Sequence, residues 1–326
     1  MAAGDGPAPR RPLPPPRNRF PSPRDVPGDP HMRIRQRVGF VLAAAILSGS
    51  LAAAQTRTLY EKQSPFNTVV VTEDERGLRA LLFNRNGVRQ SVVKLGDPDH
   101  LELAYAKVVP IGLAFVEAPR RALVVGLGGG TIPGFLHKHY PRTRIDVVDI
   151  DPVVVDVARR FFGFREDENL RVYVDDGRKF IERCREPYDI IFLDAFGADS
   201  IPYSLATREF LLAVRKALAP EGVVVGNVWS SYSNPLYESM IRTYEDVFES
   251  LYVVDVQGAG NRILLAFPRR LEVDKENLIH KARRIAAEKG FRFDLGESVR
   301  HGFRKPGHEE AGGRVLRDGD KQPPSG

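Results

Sequence analysis

Cysteine is almost absent: Cys184 is the single one in a chain of 326 residues. That excludes an internal disulfide framework and any multi-cysteine metal or redox motif. Cys184 sits between charged neighbours in a helix-like stretch and reads as a bystander. His137 and His139 flank Lys138 at i,i+2 spacing, which sends their rings to different faces of a helix, so no metal site is expected. The folded body also lacks excess positive charge. The net charge is +6, but residues 1–54 hold 8 basic against 3 acidic residues, and residues 269–326 hold 14 against 10. The stretch between is mildly acidic, which excludes the basic face of a nucleic-acid binder and suits a cationic small molecule. Long apolar runs are scarce as well. The uncharged run from Val38 to Leu51 is borderline short for a membrane span.

The ends separate from the body by composition. Residues 1–31 carry 10 of the 25 prolines, with arginines between them, and read as disordered. Arg33, Arg35 and Arg37 then precede the uncharged run, and Ala52-Ala53-Ala54 follows it. Basic region, apolar region and small-residue cleavage site describe a signal peptide over 32–54 that starts at Met32, with an uncleaved anchor as the alternative. The protein is accordingly expected to be exported or membrane-anchored through 38–54, and cytoplasmic if that segment is no functional signal. Residues 291–326, above all Gly302 to Gly326 with their glycine, proline and charge, read as a loose tail.

What the chain does have is 42% hydrophobic residues, enough for one sizeable core, and these are arranged in two patterns. From Asn67 to Gln90, within a module over 58–97, "NTVVVTE", "RALLFN" and "GVRQSVV" are separated by turn residues at Glu73–Gly77 and at Asn84–Gly87. This predicts a small antiparallel β module. A helix is expected from Pro98 to Phe115. Strands and helices then alternate over 98–290. Strands are predicted at 121–126, 144–149, 170–174, 188–193, 222–228, 251–256 and 261–267. Helices are predicted at 132–140, 152–162, 177–184, 207–218 and 235–249. A final helix at 274–289 begins after Asp274 and ends before Gly290. Alternation of this kind predicts an α/β fold with a mostly parallel, seven-stranded sheet; the last two strands, joined by "QGAG", should pair antiparallel.

The stretch "ALVVGLGGGTIPGF" places Gly126, Gly128 and Gly130 between the first strand of this sheet and a helix. Such a turn lets backbone N–H groups approach a ligand. Alone it is a weak signal, but later strands add to it. The second strand ends at Asp149, about 20 residues on, the spacing at which a carboxylate grips ribose hydroxyls. The third runs into Asp175, Asp176 and Gly177, where an acid can accept from an adenine amino group. The fourth ends at Asp194. A helix cap explains one such aspartate, but not a series in phase at one sheet edge.

From about Thr58 to Phe267 the sequence resembles the spermidine synthases, the polyamine aminopropyltransferases, on the class I methyltransferase-like (Rossmann-like) fold. The resemblance places Asp149 of "VDID" on the ribose, Asp176 and Gly177 on the adenine, and Gln90 and Asn67 of the β module beside the adenosyl donor. It makes Asp194 the catalytic proton acceptor, with Tyr105 of "LAYAKV" and Asp199 of "DAFGADSIP" binding the amine. The chain also departs from the family. Gly129 stands where the glycine loop usually carries aspartate, Ala106 follows Tyr105 in place of His or Gln, Asn67 replaces Gln, and Asp199 lies five rather than three residues past Asp194. The implied activity is aminopropyl transfer from decarboxylated S-adenosylmethionine to an amine such as putrescine, with no permanently bound cofactor and room for a homodimer. Two alternatives stay open: a methyltransferase using S-adenosylmethionine, and a non-catalytic binder of an adenosyl ligand or polyamine. Trp229 in "NVWSSYSN" either lines the pocket or fills core, and Arg262 reads as a hairpin residue.

Overall fold

A computed structural model describes residues 56–197 and 200–320. The signal or anchor at 32–54 and the segment 1–31 lie outside the described residues. Among those described, no helix is long and apolar enough to cross a membrane.

The chain opens with a four-stranded antiparallel sheet of β1 (Arg57–Gln63), β2 (Thr68–Glu73), β3 (Leu78–Leu82) and β4 (Arg89–Lys94), paired in that order. Both expected turns are present; Gly77 lies at φ +72° and the Gly87 N–H donates to the Asn84 carbonyl at 3.2 Å. β1 was not expected. Its residues "RTLYEKQ" are mostly exposed on an edge strand with a register shift between Thr58 and Tyr60, so they carry no alternating pattern to read.

The expected helix over 98–115 is shorter and of two kinds. It comprises α1 (Ala104–Val108) and then a 3-10 turn, Val109–Ala114. Pro110 at the start of that turn supplies no N–H to continue an α-helical ladder.

The main sheet follows the expected alternation. Its strands are β5 (Arg121–Val125), β6 (Arg144–Asp149), β7 (Leu170–Val174), β8 (Tyr188–Leu193), β9 (Leu218–Trp229), β10 (Ser250–Asp255) and β11 (Asn261–Phe267). Between and after them run α2 (Thr131–His139), α3 (Pro152–Phe161), α4 (Gly177–Glu182), α5 (Arg208–Ala217), α6 (Tyr237–Val247) and α7 (Lys275–Lys289). β7, β6, β5, β8 and β9 lie parallel in that order, and β11 and β10 add to the β9 edge antiparallel. Arg262 is indeed a hairpin residue, its Nε 2.6 Å from Asp255 Oδ1 across the β10–β11 pair.

Side chains alternate along each strand and feed two cores. Ala122 and Val124 join one, with Phe135 of α2 and Leu278 and Ala282 of α7. Leu123 and Val125 join the other, with Phe210 and Val214 of α5 and Ile241 of α6. A smaller cluster joins Val69, Val71, Leu81 and Phe83 of the β module to Val153, Val154 and Val157 of α3. That packing sets the module over the carboxyl edge of β6.

The segment after Gly290 corrects the expectation of a loose tail. It forms α8 (Leu295–Gly302), a two-residue strand β12 (Phe303–Arg304) that becomes an eighth strand on the β10 edge, and a 3-10 turn, His308–Gly312. Leu295, Val299, Phe303 and Leu316 are buried. Four well-spaced apolar residues outweigh the glycine, proline and charge around them, because each finds a ready-made apolar surface.

Candidate functional site

β5 sits between β6 and β8, so the connections leave it in opposite directions and open a crevice at its carboxyl end. A cavity of about 480 Å³ lies there. Asn67, Gln90, Tyr105, Gly126, Gly128, Asp149, Asp176, Gly177 and Asp194 all line it. Asp199 lies outside the described residues. Gly130 is the one expected site residue that the described structure keeps away from the cavity. It caps α2 at φ +78°, and the Phe164 ring occupies the space a side chain would need. Its role is in packing and capping, which the spacing of the glycines alone could not distinguish from ligand contact.

Gly126 is where two strand ends nearly touch. A Cβ there would run into the carbonyl oxygen of Asp194. The absence of a side chain thus lets the glycine turn and the Asp194 backbone share one rim.

Asp149 ends β6 with both carboxylate oxygens engaged by backbone donors. The Leu127 N–H gives to Oδ2 at 2.8 Å and the Asp151 N–H to Oδ1 at 2.9 Å. Burial, opposed by these donors, raises its pKa to about 6. Each oxygen keeps capacity for a ligand hydroxyl. Asp151 caps α3 through the Val153 N–H at 2.9 Å and receives the Ser64 hydroxyl at 2.5 Å. Ser64 in turn accepts from the Asn67 N–H at 2.9 Å, so one serine pins the β module to the carboxyl edge of the main sheet. Asn67 Oδ1 is buried without a hydrogen-bond partner. An acceptor left in that state costs about 1–3 kcal/mol, and a donor on a ligand would relieve it.

Asp176 caps α4, taking the N–H groups of Arg178 and Lys179 on Oδ1 at 2.9 and 3.1 Å. That leaves Oδ2 for an external donor. The cap reading and the ligand reading of this aspartate therefore coexist.

Asp194 faces Tyr105 and Asn227. The Tyr105 hydroxyl donates to Oδ2 at 3.2 Å and Asn227 Nδ2 to Oδ1 at 2.8 Å. Burial raises the Asp194 pKa to about 6, with the two donors holding it from going further. Tyr105, enclosed beside that carboxylate, has its pKa lifted well above 10 and stays protonated. Trp229 lines the cavity and stacks on Phe196, centroids 5.3 Å apart, which settles its role as wall and not core.

Among the lining residues that the sequence alone did not single out are two asparagines. Asn227 and Asn261 are linked, Asn261 Nδ2 donating to Asn227 Oδ1 at 2.9 Å. The signal was present in "GVVVGNVW", an amide inside an otherwise apolar strand, where burial demands a partner. The missing loop carboxylate also has a structural counterpart. A Cβ on Gly129 would meet Phe162 Cδ1 at 2.6 Å and Ser91 Oγ at 2.9 Å; Phe162 fills the room that an aspartate would take. Ala106 is buried in the core. His137 and His139 bind separate aspartates, Asp167 and Asp99, at 2.8 and 2.9 Å.

Fold and rim define a class of protein, an open α/β sheet whose switch point gathers carboxylates around one cavity. Residues 103–256 match the spermine/spermidine synthase domain family. A polyamine aminopropyltransferase from Vibrio vulnificus (strain CMCP6) is 36% identical over 234 residues, covering 70% of this chain and 77% of that protein. An eEF1A lysine and N-terminal methyltransferase from Bos taurus is 34% identical over 204 residues, covering 54% of this chain and 29% of that protein; the chain thus spans under a third of that relative. A probable spermidine synthase from Corynebacterium glutamicum ATCC 13032 superposes with a TM-score of 0.64 at 22% identity, covering 82% of this chain and 99% of that one. The chain belongs to the spermine/spermidine synthase family.

Proposed function

We propose that the protein transfers an aminopropyl group from decarboxylated S-adenosylmethionine to a small amine of the putrescine type. The observation that carries this reading is Asp194, an enclosed carboxylate held only by donors, on the same cavity as Asp149 and Asp176. In this reading Asp149 receives the ribose hydroxyls, Asp176 Oδ2 the adenine amino group, and Asn67 and Gln90 close the donor from the β module. The acceptor arrives as an ammonium and gives one proton to Asp194. Its freed lone pair forms a C–N bond to the carbon beside the sulfonium as the C–S bond breaks. The electron pair stays on sulfur, leaving methylthioadenosine and a secondary ammonium, and the proton on Asp194 passes to solvent. With a pKa of about 6, Asp194 is ionised at neutral pH and able to accept. Tyr105 and, by family resemblance, Asp199 orient the amine.

Methyl transfer from S-adenosylmethionine to an amine is the second reading. It is favoured by Gly129, whose side-chain space is taken by Phe162, and by the methyltransferase relatives. Incubating the purified protein with each sulfonium donor and putrescine separates the two. Methylthioadenosine from the decarboxylated donor supports the first, S-adenosylhomocysteine from the intact donor supports the second, and neither product refutes both. Export or anchoring through 32–54 is a separate proposal that cell fractionation tests; a full-length band confined to the cytosol would refute it.

A further inference from the structure

We propose that Asn261 and Asn227 form a positioning relay for Asp194, with Asn261 acting on the carboxylate only through Asn227. The relay rests on the reading of Asp194 as proton acceptor for its purpose, but not for its geometry. Asn227 is 4% exposed, on a strand whose neighbours Val225 and Val228 are buried apolar residues. A buried amide is tolerated when its carbonyl and its amino group both find partners. Asn261 Nδ2 occupies the carbonyl end at 2.9 Å. The amino end is thereby turned to Asp194 Oδ1 at 2.8 Å. Reversed, Asn227 would set its carbonyl oxygen against a carboxylate oxygen, acceptor against acceptor. The sheet register builds this in. Asn227 pairs with Ile263 across β9 and β11, which places Asn261, two residues earlier, as its diagonal neighbour on the same face.

The groups facing Asp194 come from several elements. Tyr105 reaches it from α1 and Asn227 from β9. Asp149 at the end of β6 and Asp176 before α4 line the same cavity, as do Phe196 and Trp229. Both direct partners are donors, so both favour the ionised carboxylate over the neutral acid. Removing Asn227 leaves Oδ1 without its donor. Removing Asn261 frees Asn227 to turn, and its donor is then lost for part of the time.

The test is the titration of Asp194 in the full-length protein by carboxyl ¹³C NMR, with the signal assigned by its disappearance in Asp194→Asn. It is run beside the pH dependence of product formation. In Asn227→Leu the midpoint rises by about one pH unit, the size expected for losing a hydrogen bond to a charged group. In Asn261→Leu it rises by about half that, and Asn261→Ser, which keeps a donor, returns it toward the wild-type value. In the double variant the midpoint matches that of Asn227→Leu alone. An unchanged midpoint in Asn261→Leu, or an equal added shift from it in both backgrounds, overturns the relay. Because the NMR arm needs no turnover, the two readings fail separately: a protein that transfers nothing yet shows these shifts keeps the relay and loses the proposed reaction.

Discussion

The hydroxyl of Tyr105 lies 3.2 Å from Asp194 Oδ2, tying the helix that follows the β module to the end of β8. This contact makes the proposed role of Asp194 as proton acceptor testable in solution. Asp194 has its pKa raised to about 6 by burial, so it is ionised above that value and neutral below. Activity is expected to rise with pH to a plateau, with the acid limb centred near pH 6. Tyr105 stays protonated through neutral and moderately alkaline pH. In Tyr105→Phe the carboxylate loses a donor, so the limb should move to higher pH as kcat/KM falls. A limb that stays in place would remove Tyr105 from the account.

The same burial carries a stability consequence. An unfolded aspartate ionises near 3.9, and the folded Asp194 near 6. Between those values the folded state binds more protons, so stability falls as pH rises through the window and the loss is complete above it. The loss amounts to about 2–3 kcal/mol. Asp194→Asn keeps an acceptor for Asn227 and can donate to the Tyr105 oxygen. It is therefore expected to be inactive yet more stable than wild type at pH 7, the gain shrinking toward pH 4. Thermal melts at the two pH values check this, and a variant less stable at pH 7 would contradict it.

Asp149 is expected to govern donor binding. Its oxygens are pre-set by the Leu127 and Asp151 N–H groups, so Asp149→Ala loses both the ligand's contact and the anchor of the glycine turn. The donor's KM should rise at least tenfold, the equivalent of about 1.4 kcal/mol, and the stabilisation of the protein by methylthioadenosine in a thermal shift should vanish. The acceptor's KM should change little.

Much of this site could be read from residues alone, and the reasons differ from part to part. Four strand ends with glycine or aspartate in phase exposed the rim, because parallel strands deliver their carboxyl ends to one edge. The boundaries of β5 to β8, β10 and β11 followed from apolar runs broken by turn residues, whereas β9 starts at Leu218, ahead of the expected 222, because its first residues continue the extended backbone through "APEG", which reads as a turn. β1 was illegible because an exposed edge strand need not alternate, and the fold of residues 291–320 because its few apolar residues have meaning only against a surface already built. Gly130 and Gly128 looked equivalent in sequence, yet one packs against Phe164 and the other lines the cavity. The Asn227–Asn261 link joins residues 34 apart, and only the strand register brings them together.

Gly129 allows a test of how the chain diverged. Restoring aspartate at this position puts a Cβ 2.6 Å from Phe162 Cδ1 and 2.9 Å from Ser91 Oγ. Overpacking of this kind costs about 1–3 kcal/mol, so Gly129→Asp alone should lower the melting temperature without improving transfer to a diamine. Combined with Phe162→Ala, the aspartate gains room. The double variant should then show a lower KM for the diamine than Phe162→Ala alone. If Gly129→Asp folds as well as wild type, Phe162 is not what keeps the position empty.

The C-terminal segment is expected to support the cavity from outside. Leu316 is fully buried, its N–H donating to Thr243 Oγ1 at 2.9 Å and its carbonyl accepting from the Arg208 N–H at 2.8 Å. Asp318 takes both terminal nitrogens of Arg178 at 2.7 and 2.6 Å and the Thr207 hydroxyl at 2.7 Å. It thereby joins the start of α4, beside Asp176, to the start of α5. Asp320 accepts from the Tyr203 hydroxyl at 3.1 Å, and Pro202, Ser204 and Leu205 around that tyrosine line the cavity. Leu316→Ala should cost about 2–5 kcal/mol of stability. Asp318→Asn sits on a partly exposed ion pair and should cost far less, within about 1 kcal/mol, while raising the KM for the adenosyl donor severalfold through the loosened α4. Chemical denaturation and steady-state kinetics distinguish the two effects. An Asp318→Asn protein with unaltered donor KM would reduce the segment to a purely stabilising element.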